Sequence, residues 1–359
     1  MSLAINLARN NIGLTGSNPS VGAVIVKNNI ILSTGITGLS GRPHAEELAI
    51  SKTSLQDLQD STIYISLEPC CHDGRGKLSC TDLIIKSGIK EVFFSVKDPD
   101  QRTNGKSISR LQKSGIKVVY GLMEEEAKQI NRGFFQAKTI NRPFITAKIA
   151  TTIDGKIATK YFDSKWISNK NSRKYTNFLR SKNDAILIGA NSFKKDSPTL
   201  NCRISGLEDR SPKRIILNKD FDLNLSKNFL DSCQKIQTFF VIKDDLKIKS
   251  KYQNINYIKS SLNDENNINL NDLMPKLTNM GVNNLLVEGG GQIFASFFKE
   301  NLIDELILVK GNFILGSDGI SCTANLGINF ISDIENKFTI DKIRKIDDDL
   351  IVKYVKIKL

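Results

Sequence analysis

The sequence contains little histidine, tryptophan or cysteine. Its 359 residues include two histidines, one tryptophan and six cysteines. Six cysteines are too few for a disulfide framework over this length, so we expect a protein of a reducing compartment, and specifically a cytoplasmic one. Long apolar runs are also missing, and the stretch from Met1 to Asn18 has no signal-peptide core. The sequence therefore predicts neither a membrane span nor a targeting segment.

Acidic residues are in the minority. Lysine and arginine number 51 against 38 aspartates and glutamates, which gives a net charge of +13. Such a surplus is compatible with nucleic acid, an anionic membrane or phosphorylated small molecules as partners, or with a solvated surface enriched in lysine, asparagine and isoleucine by biased base composition; we favour the last two together. The lysines are scattered, and no stretch interleaves them with aromatic side chains that could stack on bases. We therefore expect small phosphorylated partners and no binding to nucleic acid or membranes.

Both histidines lie in motifs that hold metal-ligating residue types. The first motif is Pro-His-Ala-Glu at positions 43–46, and the second begins with Pro-Cys at 69–70 and reaches a further cysteine at 80. A His-x-Glu followed by Pro-Cys and another Cys is typical of zinc deaminases, in which the glutamate is not a ligand. The spacing predicts three zinc ligands, His44, Cys70 and Cys80, and one catalytic residue, Glu46.

Three protein ligands would leave the fourth tetrahedral position of zinc to water, whose pKa falls toward ~7 in such sites. Glu46 would then take a proton from that water and pass it to the ring nitrogen and the departing ammonia. Pro43 favours a helix start, so we expect His44 and Glu46 in the first turn of a helix.

Other interpretations of these motifs remain open at this point. A structural zinc site would need a fourth ligand, which Cys71 or His72 could supply. A tRNA or other nucleic-acid deaminase shares both motifs but usually closes the second one as C-x-x-C, and it would leave residues 143–359 unexplained. A regulatory paralogue that binds nucleotide without turnover is the non-enzymatic alternative. The presence of Glu46 and all three ligands argues against it.

The order of predicted elements indicates two domains, which the length also favours. Residues 21–32 are predicted to form a strand pair with a tight Asn-containing turn, and alternating strands and helices follow, ending with one helix over 123–137. This pattern predicts a mixed sheet with helices on both faces. Asn-Arg-Pro at 141–143 separates this part from a second α/β pattern. We place the domains at residues 1–141 and 143–359.

A glycine-rich turn is the main motif of the second half. The strand 284–287 leads through Glu288 into three glycines and a helix from Gln292 to Lys299. Glycines let backbone N–H groups approach a phosphate, and a helix N-terminus favours negative charge. Tight packing would select the same residues, and the turn does not match G-x-G-x-x-G. The polar stretch 244–272 is predicted to be a loop or insertion.

Taken together, the motifs of both halves resemble one family, the bifunctional riboflavin-biosynthesis protein. That family joins two enzymes in one chain: a diaminohydroxyphosphoribosylaminopyrimidine deaminase and a 5-amino-6-(5-phosphoribosylamino)uracil reductase. In the first half the resemblance rests on Asn18-Pro19-Ser20-Val21-Gly22, Pro43-His44-Ala45-Glu46, Leu67-Glu68-Pro69-Cys70, His72 and Gly74-Arg75. In the second half it rests on Asp154-Gly155-Lys156, Ser164-Lys165-Trp166-Ile167-Ser168, Arg180, the run from Asp196 to Arg203, and Val287-Glu288-Gly289-Gly290.

The resemblance implies an N-terminal cytidine-deaminase-like α/β/α domain and a C-terminal dihydrofolate-reductase-like α/β domain. The first would use zinc to remove an amine from a pyrimidine that carries a ribosylamino 5′-phosphate. The second would use NADPH to reduce the ribosyl group to a ribityl chain. A homo-oligomer is also expected.

Residue roles carried over by the resemblance fall into two groups. The substrate positions are Asn18, His72, Ser164, Arg180, Leu200, Arg203 and Glu288. The cofactor positions are Ala150, Trp166, Ser168, Ser192, Asp196, Gly290, Gly291, Gln292, Ile293, Phe294, Ala295 and Ser296.

The chain departs from the family pattern in two places. Nine residues separate Cys70 from Cys80, where the family usually has eight. One extra residue costs a loop little, so we expect the same ligands to meet. After the strand ending at Leu217 the chain has Asn218-Lys219, where the family tends to have Asp followed by Ser or Thr. We expect Lys219 to attract the 2′-phosphate of the cofactor.

Overall fold

The computed structural model describes residues 1–72, 78–248, 252 and 254–357. Two compact units make up the chain, unit 1 from Met1 to Arg142 and unit 2 from Pro143 to Leu359. The family motif residues Gly74 and Arg75 lie outside the described residues. Within the described ranges, no helix combines the length and the apolar character that a membrane crossing would require.

Unit 1 is built on a five-stranded mixed sheet. Its strands are β1 Gly22–Lys27, β2 Ile30–Ile36, β3 Thr62–Ile65, β4 Glu91–Phe94 and β5 Lys117–Tyr120. Its helices are α1 Ser2–Arg9, α2 Ala45–Ser51, α3 Leu55–Leu58, α4 Cys80–Ser87, α5 Lys106–Lys113, α6 Glu124–Ile130 and α7 Arg132–Ile140. The strand order is β2-β1-β3-β4-β5, with β1 antiparallel to both neighbours and the β3, β4 and β5 strands parallel.

Two glycines let the first helices of unit 1 lie directly on the sheet. A Cβ atom at Gly22 of β1 would come 2.0 Å from the Ala4 carbonyl oxygen of α1. A Cβ atom at Gly35 of β2 would come 1.9 Å from the Ala45 carbonyl oxygen of α2. Both distances are far below van der Waals contact, so only glycine permits this packing. The contact at Gly35 fixes the start of α2, where His44 and Glu46 lie.

Unit 2 contains a nine-stranded sheet. The strands of the unit are β6 Phe144–Thr151, β7 Lys156–Ala158, β8 Ala185–Gly189, β9 Lys213–Leu217, β10 Thr238–Lys243, β11 Ile255–Ser260, β12 Asn284–Val287, β13 Glu305–Lys310, β14 Ile320–Ser321, β15 Phe338–Ile346 and β16 Asp349–Lys356. Its helices are α8 Lys170–Arg180, α9 Ala190–Asp196, α10 Lys227–Ser232, α11 Leu270–Asn279 and α12 Gly291–Lys299.

The large sheet has the order β11-β10-β9-β8-β12-β6-β13-β16-β15. The strands from β11 to β13 are parallel, and the hairpin of β15 and β16 is added antiparallel to β13. The central strand β8 is buried along its whole length, as its continuous apolar sequence predicts. Strands β7 and β14 form a separate two-stranded sheet. Mixed α/β sheets in both units confirm the expected fold class.

Two expectations about elements were wrong. The stretch 244–272, predicted to be a loop or insertion, contains strand β11, which pairs in parallel with β10. Its buried positions Ile255, Ile258 and Ser260 do not alternate regularly with exposed ones, and asparagines surround the strand. The sequence therefore lacks the alternation of apolar and polar residues from which a strand is predicted. The single helix predicted over 123–137 is divided at Asn131, whose side chain bonds the backbone of Ser20 instead.

Candidate metal centre and reductase site

Three elements of unit 1 bring the predicted zinc ligands together. His44 is the N-cap residue of α2, Cys70 lies after β3, and Cys80 is the first residue of α4. Their ligand atoms all lie within 4.8 Å of one another. His44 Nδ1 is 3.2 Å from Cys80 Sγ and 3.6 Å from Cys70 Sγ. The sulfur atoms of Cys70 and Cys80 therefore meet beside His44, although nine residues separate the two cysteines in the sequence.

The two thiols share hydrogen bonds that favour one thiolate. The Cys80 backbone N–H donates to Cys70 Sγ at 3.4 Å. Hydrogen bonding from the Cys80 thiol lowers the pKa of Cys70 to about 4. The same hydrogen bond to Cys70, together with burial, raises the pKa of Cys80. Thiolate is the form of cysteine that binds metals, so the low pKa of Cys70 favours its role as a ligand.

Glu46 lies beside this cluster without belonging to it. It is one residue into α2 and only 4% exposed. Burial raises the pKa of Glu46 to about 7, and the attraction of His44 opposes this rise. A carboxyl group with a pKa near neutrality can both accept and release a proton at physiological pH. Glu47 differs from Glu46, because it accepts a bond from the His44 backbone N–H at 3.4 Å.

The cluster has three members among the residues that the structure describes. Cys71 Sγ contacts Thr81 Oγ1 at 3.4 Å, and His72 Nδ1 contacts Thr103 Oγ1 at 3.3 Å. Both side chains are therefore engaged away from the cluster, which disfavours a four-ligand structural site. Burial and nearby Arg102 lower the pKa of His72 below its usual value.

Asn18 lies against the loop that precedes the first ligand. A Cβ atom at Gly41 would come 2.0 Å from Asn18 Nδ2. Gly41 has a φ of +91°, a conformation that glycine adopts most readily. Asn18 therefore packs against Gly41, which precedes the predicted ligand His44 by three residues.

In unit 2, Arg180 and Glu288 form a buried ion pair. Arg180 Nε and Nη2 donate to the two carboxylate oxygens of Glu288 at 3.0 and 2.9 Å, and Nη1 donates to the Asn201 carbonyl oxygen at 3.1 Å. The Arg203 backbone N–H donates to Asn177 Oδ1 at 3.2 Å. The structure thus brings α8, the segment around 200 and the end of β12 together.

Lys148 is a residue of this region that sequence reasoning missed. It lies in the middle of β6, and burial lowers the pKa of its amine, while Glu288 opposes and Arg180 adds to the shift. A lysine within the apolar run Phe144–Thr151 is the signal that could have identified it. Leu200, by contrast, is 1% exposed and packs in a core cluster.

The expected cofactor residues lie in several parts of unit 2. A Cβ atom at Gly290 would lie 3.6 Å from Ser192 Oγ, so the glycine turn and α9 meet. The Asn191 side chain donates to Gln292 Oε1 at 3.1 Å, next to Ile293. Phe294 and Ala295 are buried, and Phe294 belongs to the core. Ser296 Oγ donates to the Gln292 carbonyl oxygen within α12.

Trp166 and its neighbours line an exposed part of unit 2. Trp166 is 65% exposed, and the Arg173 guanidinium lies 4.1 Å from its ring centroid. Arg173 also donates to the Ser168 carbonyl oxygen. The remaining expected positions are Ala150 near the end of β6, Ser164 with its carbonyl oxygen bonded to the Ile167 N–H, and Asp196 at the end of α9. Lys219 Nζ donates to the Asn266 carbonyl oxygen at 2.6 Å.

Comparison with known proteins adds two family matches. Residues 1–96 match the cytidine and deoxycytidylate deaminase zinc-binding region, and residues 143–352 match the RibD C-terminal domain. The chain belongs to the RibD family of riboflavin biosynthesis proteins. The RibD protein of Aquifex aeolicus is 37% identical over 356 residues, covering 98% of this chain and 96% of its own. That of Escherichia coli is 30% identical, covering 99% of this chain and 98% of its own.

Solved RibD structures share the fold over the full length. Acinetobacter baumannii RibD superposes with a TM-score of 0.89 at 26% identity and covers 99% of this chain and 98% of its own. A diaminohydroxyphosphoribosylaminopyrimidine deaminase/5-amino-6-(5-phosphoribosylamino)uracil reductase from Thermotoga maritima has a TM-score of 0.87 at 30% identity, with 99% and 97% covered.

Membership of the RibD family confirms the main functional expectations. The chain is a bifunctional deaminase and reductase of riboflavin biosynthesis. Its cofactors are zinc, for which the His44, Cys70 and Cys80 cluster is suited, and the NADPH of the RibD reductase domain. One imidazole and two sulfurs form a donor set that zinc prefers.

Proposed function

We propose that unit 1 deaminates 2,5-diamino-6-(ribosylamino)pyrimidinone 5′-phosphate and that unit 2 then reduces the ribosyl group of 5-amino-6-(5-phosphoribosylamino)uracil with NADPH. The observation that carries the first half is the three-ligand cluster with a buried, non-ligating carboxylate beside it. The second half rests on the RibD C-terminal match and on the charged groups around Glu288.

His44, Cys70 and Cys80 would hold the zinc, which when bound supplies Lewis-acid activation of the attacking water. The chain's own contribution is proton transfer by Glu46. With a pKa of about 7, its carboxylate accepts the proton that the attacking water loses. Glu46 passes that proton to the ring nitrogen, then takes the second proton of the water from the hydroxyl group now on the ring carbon and passes it to the amine, which leaves as ammonia. Burial of Glu46 limits the loss of that proton to solvent.

For the reductase we propose that some charged groups hold the site together and that others bind phosphate. The Arg180–Glu288 ion pair stabilises the substrate site, because the two largely buried side chains neutralise each other's charge. The exposed guanidinium of Arg203 is suited to the substrate phosphate, since its planar fork matches phosphate oxygens. Ser192 and the glycine turn at Gly290 are suited to the cofactor phosphates.

An assay of the two steps in order tests the proposal. Without NADPH, the diaminopyrimidine phosphate should release ammonia and accumulate the uracil product. Adding NADPH should then give NADPH oxidation in equal amount. A protein that oxidises NADPH with the undeaminated substrate, or that releases no ammonia, would contradict the proposed order.

We further propose that the protein is a cytoplasmic homo-oligomer that binds no nucleic acid. None of the six cysteines, all of them within the described residues, forms a disulfide, as a reducing compartment favours. The edge strand β15 is exposed over most of its length and carries two exposed isoleucines, Ile340 and Ile343. An edge strand presents unpaired backbone N–H and C=O groups, to which a strand of a second copy could bond. Light scattering that gives the mass of one chain would contradict the oligomer.

A further inference from the structure

The hydroxyl group of Thr103 connects two residues next to the metal cluster. The Cys71 backbone N–H lies 3.4 Å from Thr103 Oγ1, and His72 Nδ1 lies 3.3 Å from the same oxygen. Thr103 has no exposed surface. Cys71 and His72 directly follow the ligand Cys70, so Thr103 contacts the segment that borders the metal centre.

The direction of these hydrogen bonds can be derived from the donors available. The Cys71 amide can only donate, so Thr103 Oγ1 accepts from it. Among the described residues, the Thr103 hydroxyl has no acceptor other than His72 Nδ1. A buried hydroxyl is nearly always satisfied, so its proton goes to His72 Nδ1. Neutral imidazole with an accepting Nδ1 carries its proton on Nε2.

A buried carboxylate holds the segment that carries Thr103. Glu68 is 2% exposed, and its Oε2 accepts the backbone N–H groups of Asp98 and Gly105 at 3.1 and 3.0 Å. Its Oε1 accepts from the backbone and the hydroxyl of Ser107 at 3.3 and 2.6 Å. Four hydrogen bonds to one carboxylate fix both ends of the 98–107 segment.

The other side of the contact is fixed as well. The Thr103 backbone N–H donates to the Asp100 carbonyl oxygen at 2.8 Å, and Arg110 Nη1 donates to the Cys71 carbonyl oxygen at 3.0 Å. Arg110 also forms an ion pair with Asp82 of α4, the helix that begins at Cys80. The Thr103 hydroxyl therefore meets His72 between two anchored backbones.

We propose that Thr103 is a positioning residue that holds His72 as the Nε2–H tautomer, so that its ring presents an N–H donor to an acceptor atom of the deaminase substrate. This inference rests on the proposed deaminase function of unit 1. It assigns a fixed hydrogen-bond polarity to His72 and a source for that polarity. A ligand acceptor such as a ring carbonyl, a ribose hydroxyl or a phosphate oxygen fits such a donor.

Nuclear magnetic resonance of the histidine rings tests the tautomer directly. With two histidines in the chain, ¹⁵N-histidine labelling of the zinc-loaded protein gives two ring systems, and His72→Asn identifies the one from His72. We expect the Nε2–H pattern in the wild type and in Thr103→Ser, which keeps the hydroxyl. Thr103→Val keeps the shape but not the hydroxyl and should shift His72 toward mixed tautomers. An Nδ1–H pattern in the wild type, or an unchanged His72 signal in Thr103→Val, would overturn the proposal.

Deaminase kinetics test the consequence for the substrate. Thr103→Val should raise KM roughly 5–10-fold, the loss of one hydrogen bond, with a smaller change in kcat. Thr103→Ser should stay within about 2-fold of wild type, and Thr103→Val should add little in a His72→Asn background. An equal rise of KM in both backgrounds, or no rescue by serine, would overturn the positioning role. Failure of the wild type to release ammonia would instead contradict the deaminase function, and the tautomer would still be measured.

Discussion

At the scale of single residues, the two units bury carboxylates in different settings. Burial raises the pKa of Glu46 to about 7, and the charged groups that act on it are His44 and Cys70 rather than a lysine or arginine. Glu288 is bonded on both oxygens by Arg180, and this pairing holds its pKa below the usual value although burial opposes the shift. Glu46 is thus suited to moving protons and Glu288 to fixed charge.

Glu46→Gln should remove deamination and leave reduction intact. The amide keeps the size of the side chain but cannot accept the proton, so we expect ammonia release to fall by ~10²–10⁴-fold. Zinc content should not change, since Glu46 is outside the ligand cluster. The measurement is ammonia release, together with NADPH oxidation on the already deaminated substrate. Loss of both activities together would contradict two independent sites.

Asp184 should give unit 2 a pH-dependent stability. Burial raises the pKa of Asp184 from 3.8 to about 6, although Asn284 and Asn283 donate to its carboxylate. The folded state then binds the proton more tightly than the unfolded state. This contribution to stability is complete below pH ~4 and is lost as the pH rises through ~6. Asp184→Asn keeps an acceptor for these N–H groups and lacks the titration.

The unfolding free energy of the wild type should therefore fall relative to Asp184→Asn between pH ~4 and ~7. Urea unfolding followed by the fluorescence of Trp166 reports unit 2 alone, because the chain has one tryptophan. Asp231→Asn, at an exposed position of α10, is the matched control and should parallel the wild type. Parallel curves for Asp184→Asn as well would contradict the buried titration.

Lys219→Ala should reduce the preference for NADPH over NADH. Lys219 Nζ donates to a backbone carbonyl of Asn266, a weaker partner than a phosphate. Without the lysine, we expect kcat/KM with NADPH to fall while kcat/KM with NADH stays the same. An unchanged ratio of the two values would refute a role for Lys219 at the 2′-phosphate.

The sequence predicted that three metal-ligating side chains would meet, because zinc chemistry dictates the spacing of their motifs. His44, Cys70 and Cys80 meet because each lies at the end of an element that the local sequence specifies. Lys148 and Thr103 could not be identified in the same way, because their surroundings come from distant strands and loops. Lys148 differs from its neighbours only as a lysine within an apolar strand, and Thr103 has no motif that separates it from ordinary core positions.

At the scale of elements, the packing of α2 on β2 sets the position of the metal centre. Gly35→Ala would force a Cβ atom to within 1.9 Å of the Ala45 carbonyl oxygen. We expect α2 to move away from the sheet, with a loss of about 1–3 kcal/mol of stability. Because His44 and Glu46 lie at the start of α2, zinc affinity should fall too. Zinc competition with a chromophoric chelator and thermal unfolding measure the two effects.

Gly115→Ala is the matched control for that substitution. Gly115 has a φ of +79°, and a Cβ atom there would meet nothing within 4 Å. Alanine should therefore cost about 1 kcal/mol from backbone conformation alone. Zinc affinity should remain that of the wild type. If both variants lost zinc equally, the packing of Gly35 would not be the cause.

Elements were predictable where hydrophobic periodicity is regular. Strand β8 is apolar and buried throughout, and β1 begins with four buried positions in a row. Strand β11 was missed, because pairing with β10 rather than its own polar sequence stabilises it. The break between α6 and α7 was also hidden, since Asn131 leaves the helix to bond Ser20, a residue 111 positions away.

At the scale of the whole molecule, the chain joins two units with separate cores. The core cluster of unit 1 and the clusters of unit 2 share no residue. The His44, Cys70 and Cys80 cluster belongs to unit 1, and the groups around Glu288 belong to unit 2. We therefore expect damage to the metal centre to leave the reductase folded and active.

The zinc content of the wild type and of Cys80→Ser, measured together with both activities, tests the central claim most directly. We predict about one zinc per chain in the wild type, as three protein ligands and one open position require. Cys80→Ser should lose the zinc and the release of ammonia while it still oxidises NADPH with the deaminated substrate. A wild type that deaminates without zinc, or a Cys80→Ser protein that keeps both zinc and deamination, would contradict it.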